Sequence, residues 1–167
     1  MNEQDLHGFA EPRPDVIWTA VRSRRGVGPM VWRRVFPGRG DQAALARKMV
    51  RVLLEDTPRA DDAEWIAAEL VSNALLHTRS GAPGGHFLVE VARGLHAARV
   101  MVYDLGGSGI PVFYGPRQEH EAREHGHGLR GVAALAARVG LRGDPVTGHA
   151  VWAQLALTAP DVVRTAS

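Results

Sequence analysis

The sequence predicts an α+β fold, and three observations carry that prediction. Helical and strand periodicities fall in separate runs: two consecutive helical stretches follow a short strand, and two strands joined by a hairpin turn come next. The 167 residues suffice for one compact domain with its own core and are too few for two ordinary ones. Apolar residues at 45% against 23% charged place the chain among globular proteins rather than disordered ones.

Residues 1–30 read as a weakly ordered lead-in, because Pro12, Pro14, Pro29 and the run Arg22-Ser23-Arg24-Arg25-Gly26 interrupt any periodicity. Ile17 and Trp18 are the residues there able to dock locally. From residue 31 the pattern tightens into the predicted domain, 31–158, with 159–167 as a short tail. Val31-Trp32-Arg33-Arg34-Val35-Phe36 is a strand ended by Pro37-Gly38. A helix follows with Asp41 as its N-cap, and Leu45, Met49, Val52 and Leu53 form one apolar stripe ending near Glu55. Pro58 marks the break. Asp61 with Glu64 reads as a capping box for a second helix over about 62–77.

On that helix Ala63, Ile66, Ala67, Leu70, Ala74 and Leu75 supply a broad apolar surface, while Glu69, Asn73 and His77 recur at i, i+4 and i+8 on one face beside it. Spacing alone also suits a solvated stripe. Residues 86–93 and 97–103 alternate as two strands around the turn Gly94-Leu95-His96. The second strand runs into Asp104-Leu105-Gly106-Gly107-Ser108-Gly109-Ile110-Pro111, a glycine-rich loop of the kind that brings backbone close to a ligand. Residues 112–127 are charged and histidine-rich and have the length of a functional lid. Leu129, Val132, Ala133, Ala136 and Val139 then trace a helix stopped by Gly140. Its glycine-flanked start is an anion-binding type of terminus. Asp144-Pro145-Val146-Thr147-Gly148 is a turn, and 150–157 alternates as the last strand.

Composition narrows the function classes. A formal net charge of +2 without a dense basic run supplies no case for nucleic-acid binding. Zero cysteines exclude disulfides and thiol chemistry and fit a reducing compartment, so a cytoplasmic location is expected. No stretch approaches the roughly 20 apolar residues that span a bilayer, and no membrane association is expected. GxxxxGK[ST] is absent, which excludes a P-loop mechanism.

Glu69-Leu70-Val71-Ser72-Asn73-Ala74-Leu75-Leu76-His77-Thr78 resembles the N-box of the GHKL (Bergerat-fold) ATPases. Residues 104–109 resemble their first glycine box, 126–128 the second, and Thr147-Gly148 the short motif before the final strand. Within that superfamily the chain is closest in pattern to the small bacterial anti-sigma-factor serine/threonine kinases. The resemblance implies a two-layer α/β sandwich, with a mixed, mostly antiparallel sheet, helices packed on one face and a mobile ATP lid.

It also implies ATP and Mg²⁺ as ligands, and roles residue by residue. Asn73 offers a neutral amide oxygen, a hard donor suited to Mg²⁺ beside nucleotide phosphates. Glu69, one turn earlier, is the catalytic candidate: it either takes a proton from an attacking hydroxyl or orders the metal's water shell. His77 continues their face. Asp104 is expected to accept the exocyclic amine of adenine, with Thr147 supporting that contact through water or serving as an ordinary turn residue. Gly106 and Gly109 let backbone pass close to base and ribose, while Gly126, His127, Gly128 and Leu129 line the phosphates.

His127 departs from the family, whose members place a longer basic or polar residue between these glycines. A protonated His127 that clamps phosphate predicts affinity falling as pH rises through its pKa. The lid cluster Glu119, His120, Glu121, Glu124, His125 and His127 also raises a zinc site, but no cysteine is present and the spacing matches no closed structural pattern, so a charged lid is the expectation. Arg117, Arg123 and Arg130 either reach the phosphates or are solvated.

The function implied is transfer of the ATP γ-phosphate to a hydroxyl of an antagonist (anti-anti-sigma) protein, controlling the availability of a sigma factor, by a homodimer. The alternative is an ATP-binding regulator that sequesters its partner without kinase turnover. A third reading is an interaction domain that no longer binds nucleotide.

Overall fold

Alternation in the strand segments builds a six-stranded sheet in a computed structural model that describes residues 17–20, 29–107 and 127–157, with backbone alone for 17–20, 127 and 128. The elements are β1 (Ile17–Ala20), β2 (Met30–Pro37), α1 (Gly40–Leu53), α2 (Ala60–His77), β3 (His86–Arg93), β4 (Ala97–Tyr103), α3 (His127–Leu135), β5 (Arg138–Asp144) and β6 (Gly148–Ala156). The strand order is β1-β2-β3-β4-β6-β5, and every neighbouring pair described is antiparallel. The lead-in thus contributes an edge strand, with Ile17 opposite Arg33 and Ala20 opposite Met30.

One face of the sheet is apolar because period two sends Phe87, Val89 and Val91 of β3, Val100 and Val102 of β4, and Val151, Ala153 and Leu155 of β6 to the same side. Phe36 and Phe87, opposite each other across β2 and β3, stack with ring centroids 5.4 Å apart. The helices cover this face. In α2, Ala63, Ile66, Ala67, Leu70, Val71 and Ala74 are buried, and its alanines let the helix lie close against β4 and β6. Emptying one such position, as in Ile66→Ala, costs about 2–5 kcal/mol. The two-layer α+β architecture therefore rests on matched periodicities of 3.6 and 2.

Four local expectations change. Asp41 is not the N-cap of α1: Arg39 holds that place without a side-chain capping bond, and Asp41 in the first turn pairs with it at 2.8 Å. The apolar stripe of α1 holds in part: Met49 and Leu53 pack against the core, but Leu45 is 46% and Val52 50% exposed, and Ala46 and Val50 are the buried residues. α1 packs against α2, and that tertiary packing overrides side-chain bulk. The Asp61/Glu64 capping box does not form either. Arg59 occupies the N-cap, and Asp61 and Glu64 instead pair with Arg51 of α1 at 3.1 and 3.2 Å.

The largest change lies after α3. The helix ends at Leu135, and Val139 and Gly140 belong to β5, which pairs with β6 along its whole length. Gly140 does not stop a helix. It sits opposite Trp152, where an added Cβ would lie 2.3 Å from the indole Cζ2, so the glycine makes room for that ring.

Candidate functional site

Three chain segments from different elements converge at one end of the sheet. The first is the exit from α2. Thr78 ends the helix in extended conformation, and its hydroxyl donates to the Ala74 carbonyl at 2.6 Å and accepts from the Ser80 N–H at 3.1 Å. A 3₁₀ turn, Arg79–Gly81, follows. The second segment is the loop 104–107 after β4, and the third is the turn between β5 and β6.

Arg79 and Ser80 lash these segments together. The Arg79 N–H donates to Gly106 O at 2.6 Å, and its guanidinium donates to the carbonyls of Leu105 and, at 2.7 Å, Val146. Ser80 is fully buried, and its hydroxyl accepts from the Leu105 N–H at 3.0 Å. Gly107 donates to Pro145 O at 3.0 Å. The backbone runs so close that Gly106, at φ +70°, would put a Cβ 2.3 Å from Pro145 O, and Gly148, at φ +112°, would put one 2.2 Å from Asp104 O. Both positions require glycine for conformation and for space.

Asp104 lies at the centre, 3% exposed. Its Oδ1 accepts from the Gly106 N–H at 2.6 Å and the His149 N–H at 3.0 Å, and lies 3.2 Å from His149 Nδ1. Its backbone N–H donates to His149 O at 2.9 Å. Among the described residues, none of these bonds falls on Oδ2. A buried carboxylate so anchored is an acceptor facing whatever enters from its free side.

Thr147 sits differently from a residue free to serve Asp104. Its hydroxyl donates to Asp144 Oδ2 at 2.8 Å, and Asp144 Oδ1 accepts from the N–H groups of Val146 and Thr147 at 2.7 and 2.9 Å. These Thr147 and Val146 bonds hold the Asp144 carboxyl below the usual carboxylate range. The geometry is that of an Asx turn closing the β5–β6 connection.

The second group lies on α2. Trp65, Glu69, Asn73 and His77 succeed one another at intervals of four along one stripe; Glu69 and Asn73 are half-buried and His77 is exposed. The Asn73 Nδ2 is buried without a hydrogen-bond partner among the described residues. A polar amide kept there at a cost to the fold, with Glu69 one turn away, offers oxygen donors of the kind Mg²⁺ takes, so the residues present fit that ion.

α3 is brought to this stripe by packing. Trp65 lies over Gly131, where an added Cβ would be 2.4 Å from its Cη2, and the Arg59 guanidinium donates to Leu135 O at 2.8 Å. These two anchors run α3 antiparallel to α2, so its first turn, His127 and Gly128, is directed back along α2 toward Glu69 and Asn73. Leu129 is buried in the core and offers a ligand only its backbone. Gly109, Gly126 and nearly all of the lid fall outside the described residues. Among the described residues no group of three or more His, Asp or Glu side chains is placed to hold a metal, and no helix is long and apolar enough to cross a membrane.

Sequence reasoning passed over Arg79, Ser80 and His149. The first two follow the N-box directly and the third follows Thr147-Gly148, but nothing in local periodicity marks a residue whose partners lie 25 to 67 positions away. A search of curated proteins finds no match to the chain. The family model of the histidine kinase-like ATPase domain matches residues 36–155, a span from the end of β2 to β6 that holds α2, the Asp104 loop and the β5–β6 turn, and the chain belongs to that ATP-binding family.

Proposed function

We propose that the protein is an ATP-dependent regulator of the anti-sigma-factor serine/threonine kinase type. It transfers the γ-phosphate to a hydroxyl of an antagonist protein and thereby controls sigma-factor availability. The observation that carries the reading is the orphaned, buried Asn73 amide on the same helix face as Glu69, in a domain of the histidine kinase-like ATPase family. A buried N–H donor without a partner costs the fold and suits a phosphate oxygen that would accept from it, while Oδ1 of the same amide is the atom a phosphate-bridging cation takes.

In this reading Asp104 Oδ2 accepts the N6 amine of adenine and discriminates against a base with a carbonyl at that position. Asn73 holds Mg²⁺, which supplies charge neutralisation at the phosphates. Glu69 takes the proton as the partner's hydroxyl oxygen bonds to the γ-phosphorus; the bond from that phosphorus to the β–γ bridging oxygen breaks, and ADP leaves with its electron pair. His77 borders the site, and Gly106, Gly109, Gly126, His127, Gly128 and Leu129 frame the nucleotide, largely through backbone groups.

The experiment is incubation with radiolabelled ATP, Mg²⁺ and candidate antagonist domains, comparing native protein with Glu69→Ala and Asn73→Ala. Label transferred by native protein and lost in both variants is the expected result. Tight partner binding with no transfer, where ATP is shown to bind, replaces the kinase with a sequestering regulator. Failure to bind ATP in calorimetry removes nucleotide from the function altogether. Sedimentation of the native protein tests the homodimer.

A further inference from the structure

His149 is a buried titratable group that the proposed chemistry leaves unused. Its side chain is fully buried, its Nδ1 lies 3.2 Å from Asp104 Oδ1, and its Nε2 is buried with no partner among the described residues. The contact selects which ring nitrogen donates. Facing a carboxylate oxygen, Nδ1 must carry the proton, since a bare Nδ1 would oppose lone pair to lone pair.

The same residue also donates its backbone N–H to the same oxygen at 3.0 Å. Together with the Gly106 N–H at 2.6 Å, Oδ1 receives donors from two segments of chain and is saturated. Two bonds from one residue form a small ring that fixes the torsion of the carboxyl group as well as its place. Rotation about the Cβ–Cγ bond, which would exchange the two oxygens, then breaks several bonds at once.

We infer that His149 is a positioning residue for base recognition: donating from Nδ1 and from its backbone N–H, it pins Oδ1 of Asp104 so that Oδ2 alone is presented to the nucleotide base. This rests on the ATP reading above. Asp104 makes the contact, and His149 decides which way the acceptor points. The specificity it supports is for a base bearing an exocyclic amine at the recognition edge. A carboxylate displaced from that place loses its acceptor geometry toward the amine, and with it the preference over a carbonyl-bearing base.

The test uses the full chain in two measurements. Nitrogen-15 NMR of labelled histidine in nucleotide-free protein reads the ring nitrogens: a proton on Nδ1 is expected, and a bare Nδ1 with the proton on Nε2 overturns the inference. Calorimetric titration with Mg²⁺-ATP and Mg²⁺-GTP then compares native protein with His149→Phe, which keeps a ring without the donor, and His149→Asn, which keeps a donor at the Nδ1 position without the ring. His149→Phe is expected to lose roughly tenfold in ATP affinity and most of its preference for ATP over GTP, as expected for loss of a hydrogen bond to a charged group. His149→Asn should retain both within about threefold. Thermal unfolding confirms that each variant is folded, and the Asn variant with the tautomer still decides the matter if the Phe variant is not.

Native-like selectivity in folded His149→Phe overturns the positioning role while ATP binding stands. Native protein that binds neither nucleotide overturns the ATP reading itself, and with it any role of His149 toward a base.

Discussion

The guanidinium of Arg79 reaches 67 positions along the chain to donate to Val146 O at 2.7 Å, while also donating to Leu105 O. One exposed side chain thus ties the exit of α2 to the Asp104 loop and to the β5–β6 turn. Arg79→Ala should cost about 1 kcal/mol, since bonds from a charged donor are worth more than neutral ones but this one is screened by solvent. The larger effect is expected on ATP affinity, a loss of roughly threefold to tenfold, because the Asp104 loop loses its brace. Denaturant unfolding and calorimetry together check the pair of values, and because both bonds leave one guanidinium nitrogen, Arg79→Lys, with its donors on one nitrogen, should restore part of each.

Asn73 predicts a dissociation of stability from binding. With Nδ2 buried and unpartnered, Asn73→Leu removes an unsatisfied donor, so unfolding without nucleotide should show unchanged stability or a gain of up to about 1 kcal/mol. Mg²⁺-ATP at a hundred times its Kd should raise native stability by about 2.7 kcal/mol and leave the variant unmoved. A variant loss of more than about 2 kcal/mol without nucleotide would instead place the amide among the bonds of the fold.

Asp144 predicts a pH dependence. Hydrogen bonds from Thr147 and Val146 hold its folded pKa below the ordinary value of about 3.9. A depressed carboxylate stabilises fully above the unfolded pKa and loses that contribution as pH falls through the folded one. The stability difference between native protein and Asp144→Ala should therefore be constant from neutral pH down to about 4, then shrink. Thermal unfolding across pH 2 to 7 measures it, and a difference that grows on acidification contradicts the turn geometry.

Gly106 and Gly84 separate strain from collision. Both have positive φ, +70° and +77°, but an added Cβ at Gly84 meets nothing within 4 Å, whereas at Gly106 it lies 2.3 Å from Pro145 O. Gly84→Ala should cost about 1 kcal/mol for the left-handed conformation alone. Gly106→Ala should cost about 1–3 kcal/mol more, because a backbone carbonyl must move, and should weaken ATP binding as the loop shifts. Equal losses in equilibrium unfolding would mean that the two loops do not meet at this distance.

The sequence by itself determined the α+β class, the hairpin His86–Arg93 to Ala97–Tyr103, the helical run that became α2 and the stripe of Glu69, Asn73 and His77, because each of these is written in spacing within a few turns of chain. The resemblance of its glycine boxes to those of the GHKL ATPases pointed to the ATPase family that residues 36–155 match. What tertiary structure alone decided were features whose cause lies far away in the chain. Ala46 and Val50, rather than Leu45 and Val52, face inward because the packing of α1 against α2 and the sheet sets which way the helix turns. Arg138–Asp144 is a strand because β6 offers an edge to pair with and Trp152 fills the space above Gly140, although Ala133, Ala136 and Val139 continue a helical period into it. His149 reaches Asp104, and Arg79 reaches Val146, because hydrogen bonds between loops depend on where the sheet and helices set them down, and no local pattern encodes a partner 45 or 67 residues away.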